Sequence, residues 1–424
     1  MKIPSLGIIA TTALLGMTVS APAVEISISC GSVGKDAELC QKNVAAWEKH
    51  TKHQHQVKII FMPQSTTDQL ALHQQWMASE NTPDVIKMDV IWPGLLANHL
   101  VDLSSYVDES TRQQHFPAII EANTVKGRLV GIPWFIGVGI LYYRQDLLEK
   151  YQLPVPTRWA ELAATAKTIQ QAERNNGNPK MWGFVWQGRA YEGLTCDALE
   201  WISSYRGGAI VNEEEQWQST VYNPQAIRAI DNAAKWVNTI SPPGVLNYVE
   251  EDARAIFQSG NAVFMRNWPY AWALSQNEDS PVKGKVGVTA LPKGGPNGRH
   301  AGTLGGWQLA VSKYSKHPEI AVELVLYLTS QKVQKEQAIE ASFLPTIISL
   351  YQDKAVLEAN PFFAHLEKSL KNAVARPSRM TGNQYNKVSA AFWNAVHSVL
   401  SGRTNARDSL KRLSRRLQRI SRPR

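Results

Sequence analysis

An α/β fold of more than one lobe follows from three features of this 424-residue sequence. Residues 25–90 alternate strand-like and helix-like patterns, residues 131–143 set glycines into strand residues before a change to long helices, and residues 301–329 read as loop, strand, turn and amphipathic helix. Such alternation predicts a doubly wound sheet with helices on both faces, and ligands then sit beyond the carboxyl ends of the strands. The length suffices for two or three domains with sizeable cores.

The first segment, Met1 to Val19, carries one Lys and an apolar run, and Ala21-Pro22-Ala23 fits the small-x-small rule of a secretory leader, so the mature chain is expected to start at Val24. Nothing later offers about eighteen uninterrupted apolar residues, so no membrane span is expected. Ser27-Ile28-Ser29 lacks the apolar residue that precedes a lipid-anchored cysteine, so Cys30 is not expected to carry an anchor. Three cysteines are too few for a disulfide framework; a Cys30–Cys40 bridge remains open, and Cys196 reads as a free thiol.

Residues 25–33 alternate as a first strand, followed by a helix from about Asp36 to Lys52 with Leu39, Val44, Ala45 and Trp47 as core positions. Val57–Met62 is the next strand, Ser65–Ser79 a helix, and Pro83–Val90 a strand ending beside Ile91-Trp92-Pro93. Asp36, Asp89 and Trp92 therefore fall at carboxyl strand ends, although helix capping and turn formation would each explain an Asp there. His50, His53 and His55 lack neighbouring Cys or carboxylate, and no metal is expected.

Gly131-Ile132-Pro133-Trp134-Phe135, then Gly137 and Gly139, lead into the strand Ile140–Tyr143, after which long helices rich in Trp and Tyr suggest a second lobe. Gly287–Leu291 is a further strand. The loop Gly294–Gly298 lacks the Lys-Ser/Thr ending of a nucleotide loop, so no ATP or other cofactor is expected. In the stretch Ala301–Thr329, Gly305 and Gly306 allow close backbone approach and Trp307 presents a flat face at the start of a buried strand. Ile320, Ala321, Leu324, Val325 and Leu328 then form the inner stripe of a helix, with Glu319 and Glu323 outward.

The net charge of +9 is confined: from Arg403 to Arg424 nine Lys/Arg and one Asp give +8, leaving the mature body near neutral. A basic groove for nucleic acid is not indicated. Leu410, Leu413, Leu417 and Ile420, with arginines between them, predict a basic amphipathic helix whose apolar stripe docks on the second lobe and whose basic face is either merely solvated or meets an anionic membrane surface.

Gly305–Glu319, GGWQLAVSKYSKHPE, followed by Ser330-x-x-x-Gln334, resembles the signature of the family 1 extracellular solute-binding proteins of ABC sugar importers. Trp182–Gly188, Tyr191-Glu192-Gly193, Arg266–Trp272 (RNWPYAW) and DSPVKGKVGV from Asp279 strengthen the likeness, which is to trehalose/maltose binders and extends to glucosylglycerol-type relatives. It implies a two-lobed type II periplasmic-binding-protein fold with crossover hinges. Residues 24–136 and 290–343 would form the N-terminal lobe, and 137–289 and 344–424 the C-terminal lobe, behind a leader at 1–23. It further implies a periplasmic monomer that delivers an α-linked disaccharide or glucosyl compatible solute to ABC permease transmembrane subunits, without catalysis. A secreted glycoside hydrolase is the competing class, since it would share the tryptophans and needs only two carboxylates.

The contacts carried over are Asp36, Asp89, Trp92, Trp268, Tyr270, Gly306, Trp307 and Arg376, with Glu38, Asp68, Phe135, Tyr191 and Glu192 as secondary candidates. Asp36 stands where relatives have Glu, and Glu38 could substitute. Phe135 and Gly137 replace a Tyr and an Asp, and Asp68 stands in place of an Arg. Trp268 and Trp307 are expected against the sugar from opposite lobes, because C–H faces stack on aromatic planes while carboxylates and Arg take the hydroxyls.

Overall fold

The chain was analysed as a computed structural model described over residues 23–212 and 218–420; the expected leader lies, but for Ala23, outside the described residues. Ten strands build two sheets: β1 (Val24–Cys30), β2 (His55–Phe61), β3 (Val85–Asp89), β4 (Ile132–Val138), β5 (Ile140–Arg144), β6 (Trp182–Val185), β7 (Ala262–Asn267), β8 (Val286–Ala290), β9 (Leu304–Val311) and β10 (Leu344–Pro345). The first sheet runs β10-β4-β9-β3-β1-β2 and the second β8-β5-β7-β6. β1 is parallel to β2 and β3, but β9 is antiparallel to both β3 and β4. The sheets are therefore mixed: β9, entering after the return from the second lobe, and β10 both run against β4.

The first lobe forms as its periodicity demands. Ile26, Ile28 and Cys30 face one side of β1, and Cys40, Val44 and Trp47 recur at i, i+4 and i+7 along α1 (Asp36–His50), so helix and sheet bury one cluster between them. A Cys30–Cys40 disulfide ties the strand end to the helix. The next helix, α2 (Thr66–Ala78), starts at Ser65, whose hydroxyl accepts from Asp68 N–H at 3.3 Å. His50 stacks on Tyr327 and His55 on Trp47, so these histidines point to different neighbours.

In the second lobe, α3 (Trp159–Asn175), α4 (Glu192–Ser204) and α5 (Pro224–Trp236) cover the sheet around a tryptophan core. Trp186 and Trp201 meet edge to face at 5.0 Å, and Trp236 packs on Trp159 at 5.2 Å and on Trp201 at 5.6 Å. Much of the tryptophan content is thus core filling. The helix over Ile320 and Leu324, α6 (Pro318–Leu328), packs on β9, and α7 (Gln331–Ala341) follows it. The last two helices, α8 (Tyr385–Leu400) and α9 (Ala406–Ile420), join the second lobe, where Leu410, Leu413 and Leu417 are buried in its core. The apolar stripe of the basic tail is therefore consumed inside the protein.

One residue separates the sheets where β4 becomes β5. At Gly139 a Cβ would lie 1.9 Å from Glu200 Oε1, so no side chain fits beside the buried Arg266–Glu200 pair at this passage. Residues 291–303 carry the chain back to β9, and β10 is its last strand in the first sheet.

Candidate functional site

Three neighbouring strands set out the first wall. Trp307 lies in register with Asp89 on one side and with Phe135 on the other, so all three fall in one row across the sheet. A register shift between Trp307 and Gln308 against β4 turns the strand locally, as bulges beside sites do. Gly306 has φ +143°, and a Cβ there would lie 2.7 Å from Phe135 O; the position requires glycine.

Two residues before Asp89 and on the same face, Lys87 is fully buried in the central strand. Its ammonium ion-pairs with Asp36, donates to Ser32 Oγ at 3.1 Å and sits 4.1 Å over the Trp307 ring. Asp36 Oδ2 also accepts from Ser32 N–H at 3.1 Å, whereas its Oδ1 is buried without a protein partner.

The second wall comes from β7 and α4. Trp268 follows β7 and rests one face 4.1 Å from the Arg266 guanidinium, itself paired with Asp197 at 3.0 Å and with Glu200. Trp268 Nε1 donates to Glu250 Oε1 at 3.3 Å, and Tyr191 OH donates to Glu250 Oε2 at 2.7 Å. The Trp268 ring lies against the backbone at Gly137 and Gly305, where added Cβ atoms would be 3.4 and 3.0 Å from it. Gly137 thus makes room for the ring.

Arg376 joins the walls. Its Nη2 donates to Asp89 Oδ1 and its Nη1 to Glu192 Oε1, both at 3.0 Å, while Ser389 Oγ at 2.7 Å and Tyr385 OH complete the cage around Glu192. Burial pushes the Asp89, Glu192 and Glu250 carboxyls above their ordinary range, with Arg376 opposing it at the first two and the Tyr191 hydroxyl at the third. Burial also works against the Arg376 cation, but Asp89 and Glu192 outweigh it and hold the guanidinium charged. Arg376 Nε has no protein partner.

These walls enclose a cleft of about 770 Å³, counted out to its open mouth. Asp36, Asp89, Phe135, Glu192, Trp268, Tyr270, Gly306, Trp307 and Arg376 all line it. The remaining candidates do not. Trp92 is fully buried behind Trp307, edge on at 5.7 Å, because the chain turns inward after β3. Glu38 is exposed: two residues from Asp36 is about 200° around a helix, so it faces away. Asp68 sits in the exposed first turn of α2, 3.9 Å from Arg189 of the second lobe. Tyr191 acts from behind, through Glu250. Lys87 and Glu250 were missed by sequence reasoning; the one available signal was a Lys inside the otherwise apolar run Val85–Met88.

The sequence profile of bacterial extracellular solute-binding proteins matches residues 34–335. A probable ABC transporter-binding protein of Deinococcus radiodurans is 49% identical over 416 residues, 96% of this chain and 98% of the relative. A galactooligosaccharide-binding protein of Bacillus subtilis is 24% identical over 389 residues, 87% and 83% of the two chains. Among solved structures, maltose-bound MalE3 of T. maritima superposes with a TM-score of 0.88 at 40% identity, covering 94% of this chain and 100% of that one. A Thermotoga lettingae solute-binding protein with bound tagatose shares the fold, with a TM-score of 0.82 at 21% identity over 94% and 100%. The match over most of the chain, with two sheets facing one cleft, shows that the protein belongs to the bacterial extracellular solute-binding protein family, which works outside the cytoplasm.

Proposed function

We propose that this protein, by family the solute-binding component of an ABC sugar importer, captures a neutral α-glucoside of about disaccharide size and delivers it to the transmembrane subunits of the permease. The observation that carries the reading is the pairing of two half-exposed tryptophans from opposite lobes, Trp268 and Trp307, across a cleft rimmed by carboxylates and cations. Aromatic planes take the C–H faces of a sugar. Asp36 Oδ1 and Arg376 Nε, an acceptor and a donor on residues that line the cleft, are buried without protein partners, as groups completed by a ligand hydroxyl or an ordered water are.

Charge argues for a neutral ligand. The cleft carboxylates already have partners: Asp36 has Lys87, Asp89 and Glu192 share Arg376, and Glu250 holds Tyr191 and Trp268. Groups committed in this way hold a ligand rather than move its protons, which favours a binder over a glycosidase. Phe135, stacked on Phe343 at 4.2 Å, gives one end of the cleft an apolar wall. The relative that supports an α-linked ligand is the 40% identical maltose-bound structure.

A thermal-shift screen against trehalose, maltose, sucrose and glucosylglycerol tests this, because a ligand at a hundred times its dissociation constant adds about 2.7 kcal/mol. Stabilisation by at least one α-glucoside, with the sugar recovered unchanged, is expected. Stabilisation only by polyols or β-linked sugars would overturn the ligand class, and cleavage of the sugar would overturn the binding role.

A further inference from the structure

The outer face of α9 has no role in the cleft. Arg407, Lys411, Arg415 and Arg419 follow one another at i+4 steps, and Arg412 and Arg416 form a second file beside them; all six are exposed. Asp408 is the lone acid between Arg403 and Ile420, and the rest of the mature chain is near neutral. The opposite face of the helix is spent: Leu410, Leu413 and Leu417 are buried in the second-lobe core, and Ser409 Oγ donates to Ala395 O at 2.8 Å. The cations therefore stand on a rigid, folded rail rather than on a loose tail.

We propose that this rail docks the protein on the anionic phospholipid surface of the membrane that houses its permease. Charge complementarity selects the partner. Six cations in two files meet a laterally mobile sheet of phosphate groups without any fixed spacing on the other side, and each Lys or Arg brought to such a surface multiplies partitioning several-fold. The family places the protein outside the cytoplasm, facing a membrane and not a genome. With its apolar stripe internal, α9 cannot insert as a free amphipathic helix does, so the contact is peripheral, electrostatic and reversible by salt.

Sedimentation with vesicles tests this on the full mature chain. Vesicles of phosphatidylglycerol mixed with phosphatidylcholine should retain the protein at low salt and release it at about 0.5 M salt, where the screening length falls to a few ångströms. Vesicles of phosphatidylcholine alone should not retain it. The variant Arg407→Gln/Lys411→Gln/Arg415→Gln/Arg419→Gln, whose changes are confined to the exposed face, should partition at least roughly thirtyfold less, with its thermal midpoint and sugar affinity unchanged. Equal retention by neutral and anionic vesicles, equal retention of variant and parent, or duplex DNA outcompeting anionic vesicles at matched phosphate would each overturn the proposal. A variant that loses its melting transition is replaced by Arg412→Gln/Arg416→Gln, which must then show the same direction of change.

Discussion

The two indoles are each pinned on one face by a cation, Lys87 over Trp307 and Arg266 over Trp268, and this fixes ring orientation before any ligand arrives. Truncating such an anchor commonly costs about 2 kcal/mol or more. Trp268→Ala and Trp307→Ala should therefore bind the best ligand roughly thirtyfold more weakly in calorimetry, whereas exposed Glu319→Ala on α6 should bind as the parent does. Binding within threefold of the parent by both folded tryptophan variants would remove these residues from the site. A second residue-scale expectation concerns His73, buried edge-on between Trp76 and Trp92, whose pKa burial lowers to about 4. Between that value and about 6.5 the unfolded chain binds a proton that the native ring refuses. Its contribution, on the order of 3 kcal/mol, is present above about pH 6.5 and lost as pH falls towards 4. Denaturant melts of His73→Leu should show a shallower acid limb than the parent. Trp268, Trp307 and Arg376, which line the cleft, are reached through the family resemblance, whereas Trp92, named with them, lies buried behind Trp307. Lys87 could not be named from sequence, because its meaning lies in Asp36, 51 residues away, and a charged side chain inside a strand only makes sense once that partner is in place.

At the scale of elements, periodicity and caps carried most of the information. The first three strands and the helices between them lie within a few residues of expectation, since alternation at Ile26-Ile28-Cys30 and the Ser65 cap are local signals. Strand direction was not legible: that β9 runs antiparallel between β3 and β4 depends on where a chain returning from the second lobe enters, which no local pattern encodes. The tail helix shows the opposite case, where spacing alone assigned the inward face. Leu413→Ala in α9 should cost about 2–5 kcal/mol in urea melts, as large-to-small core changes do, while Arg415→Ala should stay within about 0.5 kcal/mol. Similar costs for the two would mean that the helix is not docked.

For the whole molecule, Arg376 is a clasp between sheets, since Asp89 ends β3 of the first and Glu192 opens α4 of the second. Arg376→Met removes the cation shared by two buried carboxyls, and breaking a buried ion pair from one side costs about 3–5 kcal/mol, although Glu192 keeps Ser389 and Tyr385. The open form should then gain population, seen in solution scattering as a larger radius of gyration without ligand and a smaller contraction with it. Unchanged scattering would show that Arg376 does not hold the lobes together. Placing the clasp was beyond sequence reasoning, because 287 residues separate Asp89 from Arg376. The paired indoles have an optical consequence as well. Each has a fixed positive charge over one face and lines the cleft, Trp268 also touching Gly137 and Gly305, while Trp159, Trp186, Trp201 and Trp236 are packed in the second-lobe core away from the cleft. A sugar sliding between the two would change the surroundings of those rings and leave the core tryptophans as a constant background. The protein is thereby expected to carry its own unlabelled dye pair, timing capture and release by rapid mixing in the ultraviolet; an emission unchanged by sugar would remove these rings from the site.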